Sequence, residues 1–85
     1  MDPKLEQAQL ATQEFMQQHS LDARTMASIG QMAKEAIQDR SLYPMLREQL
    51  INSKILTEKE LPKQINYMTL SVLVTMGALA GGEQS

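Results

Sequence analysis

The sequence has no cysteine, no tryptophan and a single histidine, His19. Without cysteine there is no disulfide framework and no thiolate site for zinc or an iron–sulfur cluster. Aromatic side chains are scarce, with Phe15, Tyr43 and Tyr67 the whole supply. Little large, rigid volume is available for a core, so aliphatic residues and seven methionines must fill it. An excess of positive charge is missing too. Eight Lys and Arg against ten Asp and Glu leave a net charge of −2, whereas a dedicated nucleic-acid binder needs clustered Lys and Arg to displace counterions. No long apolar run occurs. The most apolar stretch, Met68–Ala80, has 13 residues and is interrupted by Thr69, Ser71 and Thr75, against about 20 needed to span a bilayer. The polar start Met1-Asp2-Pro3-Lys4 lacks the early apolar stretch of a secretory signal, which points to a cytoplasmic protein.

What is present reads as one helical domain over residues 1–82 with a loose tail at 83–85. Asp2-Pro3 is a helix start, because Asp can cap free N–H groups and Pro loses nothing in the first turn. Leu5, Ala8, Thr12, Phe15, Met16 and His19 then recur every three or four residues, giving a helix with a thin apolar stripe that ends near His19. Asp22 or Ser20 can cap a second helix, which carries Met26, Ile29, Met32, Ala33, Ala36 and Ile37 and runs to about Arg40. Gly30 inside it costs about 1 kcal/mol against Ala. It marks a close helix–helix approach or is merely tolerated. Ser41 is the cap expected for a third, short helix bearing Leu42, Met45, Leu46, Leu50 and Ile51, with Pro44 in its first turn and Asn52-Ser53 at its end.

Thr57 and Glu60 have capping-box spacing, with Leu56 and Leu61 placed to close over it as a staple. Pro62 follows at once and stops the helix, so the segment predicts a one-turn rigid corner. Asn66 caps a last helix over Tyr67–Ala80, with Ile65 and Leu70 as its staple and Gly81-Gly82 as its stop. Met68, Leu70, Val72, Val74 and Met76 also alternate as in a strand. No other segment offers a pairing partner, so the helix is preferred. The fold class expected is all-α, a small bundle of about four helices with a corner before an apolar C-terminal helix.

Catalytic and ligand chemistry find little support. Ser20, His19 and Asp22 are triad residue types, but triads assemble from distant positions, and these three are better explained as helix-terminal residues. Glu35 and Asp39 lie four apart on one helix with no His or second pair to complete a metal site. Gly81-Gly82 lacks the Lys and Ser/Thr of a P-loop. No enzyme activity, cofactor or metal is expected. Helices meeting at Arg40-Ser41 could be read as a weak DNA-binding module presenting Arg47, Glu48, Gln49 and Asn52, but Asp39 and Glu48 dilute its charge. The last helix is apolar nearly all round. Tyr67, Leu70, Leu73, Val74, Met76 and Leu79 are the expected protein-interaction residues, with Gly77, Ala78 and Ala80 allowing close backbone approach. Either another subunit covers part of it, or the remaining helices of the chain do.

The stretch Leu42-Tyr43-Pro44 through Leu56-Thr57-Glu58-Lys59-Glu60-Leu61, then Ile65-Asn66-Tyr67 and Met76-Gly77-Ala78-Leu79-Ala80-Gly81, resembles small helical virion and assembly proteins of tailed bacteriophages. The likeness spans about half the chain and carries no family catalytic or binding residues. It implies a non-enzymatic role in self-association or in a larger protein assembly, and a virion location if the chain is phage-encoded. The alternative is a small regulator that binds and modulates one host protein.

Overall fold

Asp2, Asp22 and Asn66 each open a helix by accepting a hydrogen bond from the backbone N–H of Lys4, Thr25 and Thr69, at 3.0, 2.7 and 3.2 Å. In this computed structural model, which describes residues 2–81, those caps start α1 (Pro3–Gln18), α2 (Ala23–Gln38) and α4 (Tyr67–Ala80). A 3-10 turn at Arg40–Leu42 leads into α3 (Tyr43–Asn52). The described residues contain no strand, so the fold is all-α. Gly82 and the expected tail 83–85 lie outside the described residues.

Two expectations about helix ends are corrected. α2 stops at Gln38 rather than near Arg40, and the cap at the next junction is Asp39, not Ser41. The Asp39 carboxylate accepts from both the Ser41 N–H (3.1 Å) and the Ser41 hydroxyl (2.7 Å), so Ser41 is a donor there. α3 itself has no side-chain cap. Its first N–H, that of Tyr43, finds its partner in the preceding 3-10 turn, donating to the Arg40 carbonyl.

α1 and α3 terminate in the same way. After α1, the Leu21 N–H reaches the Met16 carbonyl (2.8 Å) and the Ser20 N–H the Gln17 carbonyl (3.3 Å). After α3, Ile55 reaches Leu50 and Lys54 reaches Ile51, both at 3.0 Å. These are Schellman motifs, which place one residue in the left-handed region. Here that residue is not glycine: Ser20 has φ 54° and Lys54 φ 60°. The apolar pairs Met16–Leu21 and Leu50–Ile55 close over the two ends from the core side and help hold the left-handed residues there. Ser20, one of two expected caps for α2, is therefore the end of α1.

The corner forms as its sequence predicts. The Thr57 N–H and hydroxyl both donate to the Glu60 carboxylate (3.0 and 2.9 Å), and the Glu60 N–H donates back to the Thr57 hydroxyl (3.3 Å). A single turn closes, Leu61 N–H to Thr57 carbonyl at 2.9 Å, before Pro62 ends it. Leu56 and Leu61 are both buried beneath it.

The main packing of the molecule is α2 against α4; α1 flanks α4, and α3 with its 3-10 turn flanks α2. α2 buries Met26, Ile29, Gly30, Ala33 and Ala36, and α4 buries Leu70, Leu73 and Gly77. The two glycines face each other at the crossing. A Cβ on Gly30 would lie 2.7 Å from the Gly77 Cα and 3.0 Å from the Leu73 carbonyl oxygen. One on Gly77 would lie 2.6 Å from the Gly30 Cα. Of the two readings of Gly30, the close approach is the one realised. Its neighbours are backbone atoms, which cannot rotate aside. Gly30→Ala should therefore lower stability by about 2 kcal/mol, although Ala is the better helix former by about 1 kcal/mol. Urea unfolding checks this against Ser28→Ala, on the exposed face of the same helix, which should be neutral or slightly stabilising.

Candidate interaction surface

α4 has fourteen residues, none of them charged. Its positions i, i+3 and i+7, Leu70, Leu73 and Gly77, point at α2 and are buried. The remaining directions divide three ways. Leu79 and Ala80 lie against α1, where they line a cleft with Gln9, Thr12, Gln13 and Met16. Val74 and Ala78 line a groove on the opposite flank with Ala27, Gln31 and Lys34 of α2. The outward stripe starts with Met68 and Val72, four residues apart and 80% and 48% exposed; Tyr67 beside it is 46% exposed. Helical spacing carries this stripe on through Thr75 to Leu79. Thr75 softens the stripe little, because its hydroxyl donates back to the Ser71 carbonyl at 3.1 Å.

The six expected interaction residues separate accordingly. Leu70 and Leu73 sit in the chain's own core and are not at the surface. Val74, Met76 and Leu79 are half-buried on the flanks, and Tyr67 is exposed. Met68 and Val72 were not among the six, though they are more exposed than any of them. A helix apolar on every side carries no sequence signal of which direction faces inward. The glycine pair decides it here, since Gly77 must meet Gly30.

Around the corner, two side chains of α3 do what sequence reading missed. The Tyr43 hydroxyl donates to the Pro62 carbonyl (2.6 Å), and the Arg47 Nε donates to the Leu61 carbonyl (2.7 Å). They satisfy carbonyls that the interrupted turn leaves free. Burial pushes the Tyr43 hydroxyl above its ordinary range, with Arg47 beside it opposing, so it remains a protonated donor. Arg47 also lies 4.0 Å from the exposed Glu58 carboxylate. The expected phosphate-contacting Arg47 of a DNA-binding reading is thus committed to the corner. Glu48, Gln49 and Asn52 are exposed on α3 without it.

His19 is the C-cap residue of α1 and packs on Phe15, ring centroids 4.5 Å apart. Ser20 and Asp22 are engaged in the helix end and the helix cap already described, so the three residue types are not oriented on one another. Among the described residues, no three His, Asp or Glu side chains group as metal ligands, and no helix is long and apolar enough to cross a membrane. Every buried side-chain nitrogen or oxygen among them has a hydrogen-bond partner. Comparison with protein-family models, curated proteins and solved structures finds no match to the chain.

Three exposed carboxylates are held in their charged form by the local hydrogen bonds. Glu60 lies below its ordinary 4.5 through the Thr57 backbone and side-chain bonds. Asp22 and Asp39 lie below 3.8 through bonds from Thr25 and Ser41. A depressed carboxylate binds protons less readily folded than unfolded, so its contribution is complete above the ordinary value and is lost as pH falls through the lower, folded one. Melting temperature should stay level from neutral pH down to about 5 and fall below about 4.5, with a shallower acid slope in Glu60→Gln. Thr57→Ala should cost about 1 kcal/mol at neutral pH, measured by thermal melting followed by circular dichroism.

Proposed function

We propose that this protein is a non-enzymatic assembly protein that works by self-association, with the outward stripe of α4 as its contact surface. One observation carries the reading: a helix without any charge keeps Met68, Val72 and Tyr67 in solvent. An exposed apolar stripe of this kind is a cost to an isolated chain and a gain to one whose stripe is covered. Its charge-free character favours a second copy as the cover. Like faces then meet without repulsion, and a two-fold contact uses the same residues from both chains. A net charge of −2 adds little repulsion between copies. The likeness to phage virion and assembly proteins supports the same kind of role.

Sedimentation velocity over a concentration series tests this. The chain should sediment as a dimer or larger species, and Val72→Asp should convert it to a monomer that keeps its helical circular-dichroism spectrum. Leu73→Asp should instead unfold the chain, because its side chain lies in the core between α2 and α4, where a charge costs several kcal/mol. A chain that is monomeric at every concentration overturns self-association and favours the regulator of one host protein. So does a Val72→Asp variant of unchanged mass.

A further inference from the structure

As a helix, α4 has little of its own to hold it. No acidic residue stands in its first turn and no basic residue in its last, so no charge complements its dipole. Without charged residues it forms no i, i+4 ion pair either. Thr69, Val72, Val74 and Thr75, within the stretch Met68–Met76, are β-branched. Such side chains lose rotamer freedom in a helix and suit a pleated strand. The Thr75 hydroxyl bonds back to the Ser71 carbonyl at 3.1 Å, a contact that slightly destabilises a helix. What α4 has is the Asn66 cap and its packing, above all on α2, where Leu70, Leu73 and Gly77 are buried. Tertiary contact makes this segment helical.

The same residues are ordered as a strand. Met68, Leu70, Val72, Val74 and Met76 fall on one side of an extended chain, and Thr69, Ser71, Leu73 and Thr75 on the other, where hydroxyls prevail. On a helix those hydroxyl residues do not gather, because Thr69 points roughly opposite to Ser71 and Thr75. The described residues form no strand, so an extended Met68–Met76 has nothing among them to pair with. Another copy supplies the identical segment, on which every residue stacks against its like. Stacks of this kind form from about six or seven residues of high β-propensity without proline, with few glycines and little charge. Met68–Met76 is longer than that and has no charge, proline or glycine. Pro62 and Lys63 before it and Gly77 after it set its limits.

We propose that Met68–Met76 is a latent assembly element: when the α2–α4 crossing opens, it leaves the helix, extends, and stacks on the same segment of other copies as an in-register β-sheet. The Gly30–Gly77 contact is its latch. While closed, the crossing holds Leu70 and Leu73 in the core. Leu70 belongs to one face of the extended segment and Leu73 to the other, so neither face is available. The inference goes beyond the docking of folded chains proposed above. Here the backbone of α4, rather than its outer side chains, makes the contact, and it does so whether or not folded chains associate.

Incubation of the full chain at neutral pH, a few degrees below its melting temperature, tests the latch. Infrared and circular-dichroism spectra should pass from helix to β-sheet, and the product should diffract at about 4.7–4.8 Å along its axis. Hydrogen exchange on the product should place its protected core at Met68–Met76. Gly30→Ala, which forces the two backbones apart, should shorten the lag at least threefold at the same temperature. Ser71→Lys keeps the helix, since Ser71 is exposed and Lys is the better helix former. In the sheet it stacks like charges about 4.8 Å apart. Compared at equal distance below melting, it should lengthen the lag at least tenfold. Gln7→Lys adds the same charge at an exposed position of α1 and should leave the lag unchanged. A chain that melts without forming β-sheet, a protected core elsewhere in the sequence, or a Ser71→Lys variant that converts as fast as Gln7→Lys overturns the proposal. None of these outcomes bears on the association of folded chains, which sedimentation reads separately.

Discussion

Gly30 and Gly77 bring two helix backbones into direct contact, and most of the remaining packing follows from that contact. With no side chain between them, α2 and α4 approach so closely that a single methyl would meet main-chain atoms on the other helix. The crossing sets the rotation of both helices about their own axes. On α2 it turns Met26, Ile29 and Ala33 inward, and on α4 Leu70 and Leu73. It also answers the shortage of aromatic volume. A chain with three aromatic residues fills space by bringing backbones together rather than by wedging large rings between them. Small residues at Ala33 and Ala36, both fully buried, extend the same solution along α2.

The connections are built differently, from local hydrogen bonds with a few long-range ties. Schellman closures end α1 and α3, and Asp39 and the Thr57–Glu60 box hold the turns between helices. Among the described residues, the corner before α4 is the one place where a local motif is also clamped from a distance. Tyr43 and Arg47 of α3 donate to the carbonyls of Pro62 and Leu61, so the corner is fixed to α3, and α4 leaves it in a defined direction. An interrupted helix turn leaves free carbonyls, and two donors on the neighbouring helix reach those of Leu61 and Pro62.

The same crossing that organises the core leaves the outside of α4 bare. A helix buries roughly one stripe against each neighbour. α4 has α2 on one side and the lightly docked α1 on another, and α3 packs on α2 instead. Fourteen uncharged residues are more apolar surface than two neighbours cover, and Tyr67, Met68 and Val72 are the large apolar side chains left exposed. The proposed role in self-association stems from this imbalance between an apolar helix and too few partners.

Local chemistry was legible in the residues themselves. Asp2 with Pro3, Asp22, Asn66 and the Thr57–Glu60 box are short-range signals, and each forms the cap its spacing implies. Apolar periodicity likewise identified the α2 core residues, because a polar opposite face gives that helix a direction. Tertiary structure decided what has no local signature. Ser41 and Asp39 are both good caps, and which one acts depends on the tight turn between α2 and α3. Tyr43 and Arg47 read as ordinary residues of an amphipathic helix until the corner, 14 to 19 residues later, returns to meet them. The split of α4 into a buried Leu70–Leu73 side and an open Met68–Val72 side was hidden for a physical reason. Hydrophobicity alone has no orientation on a helix that is apolar all round, so the inward side is chosen by shape, by Gly77 meeting Gly30.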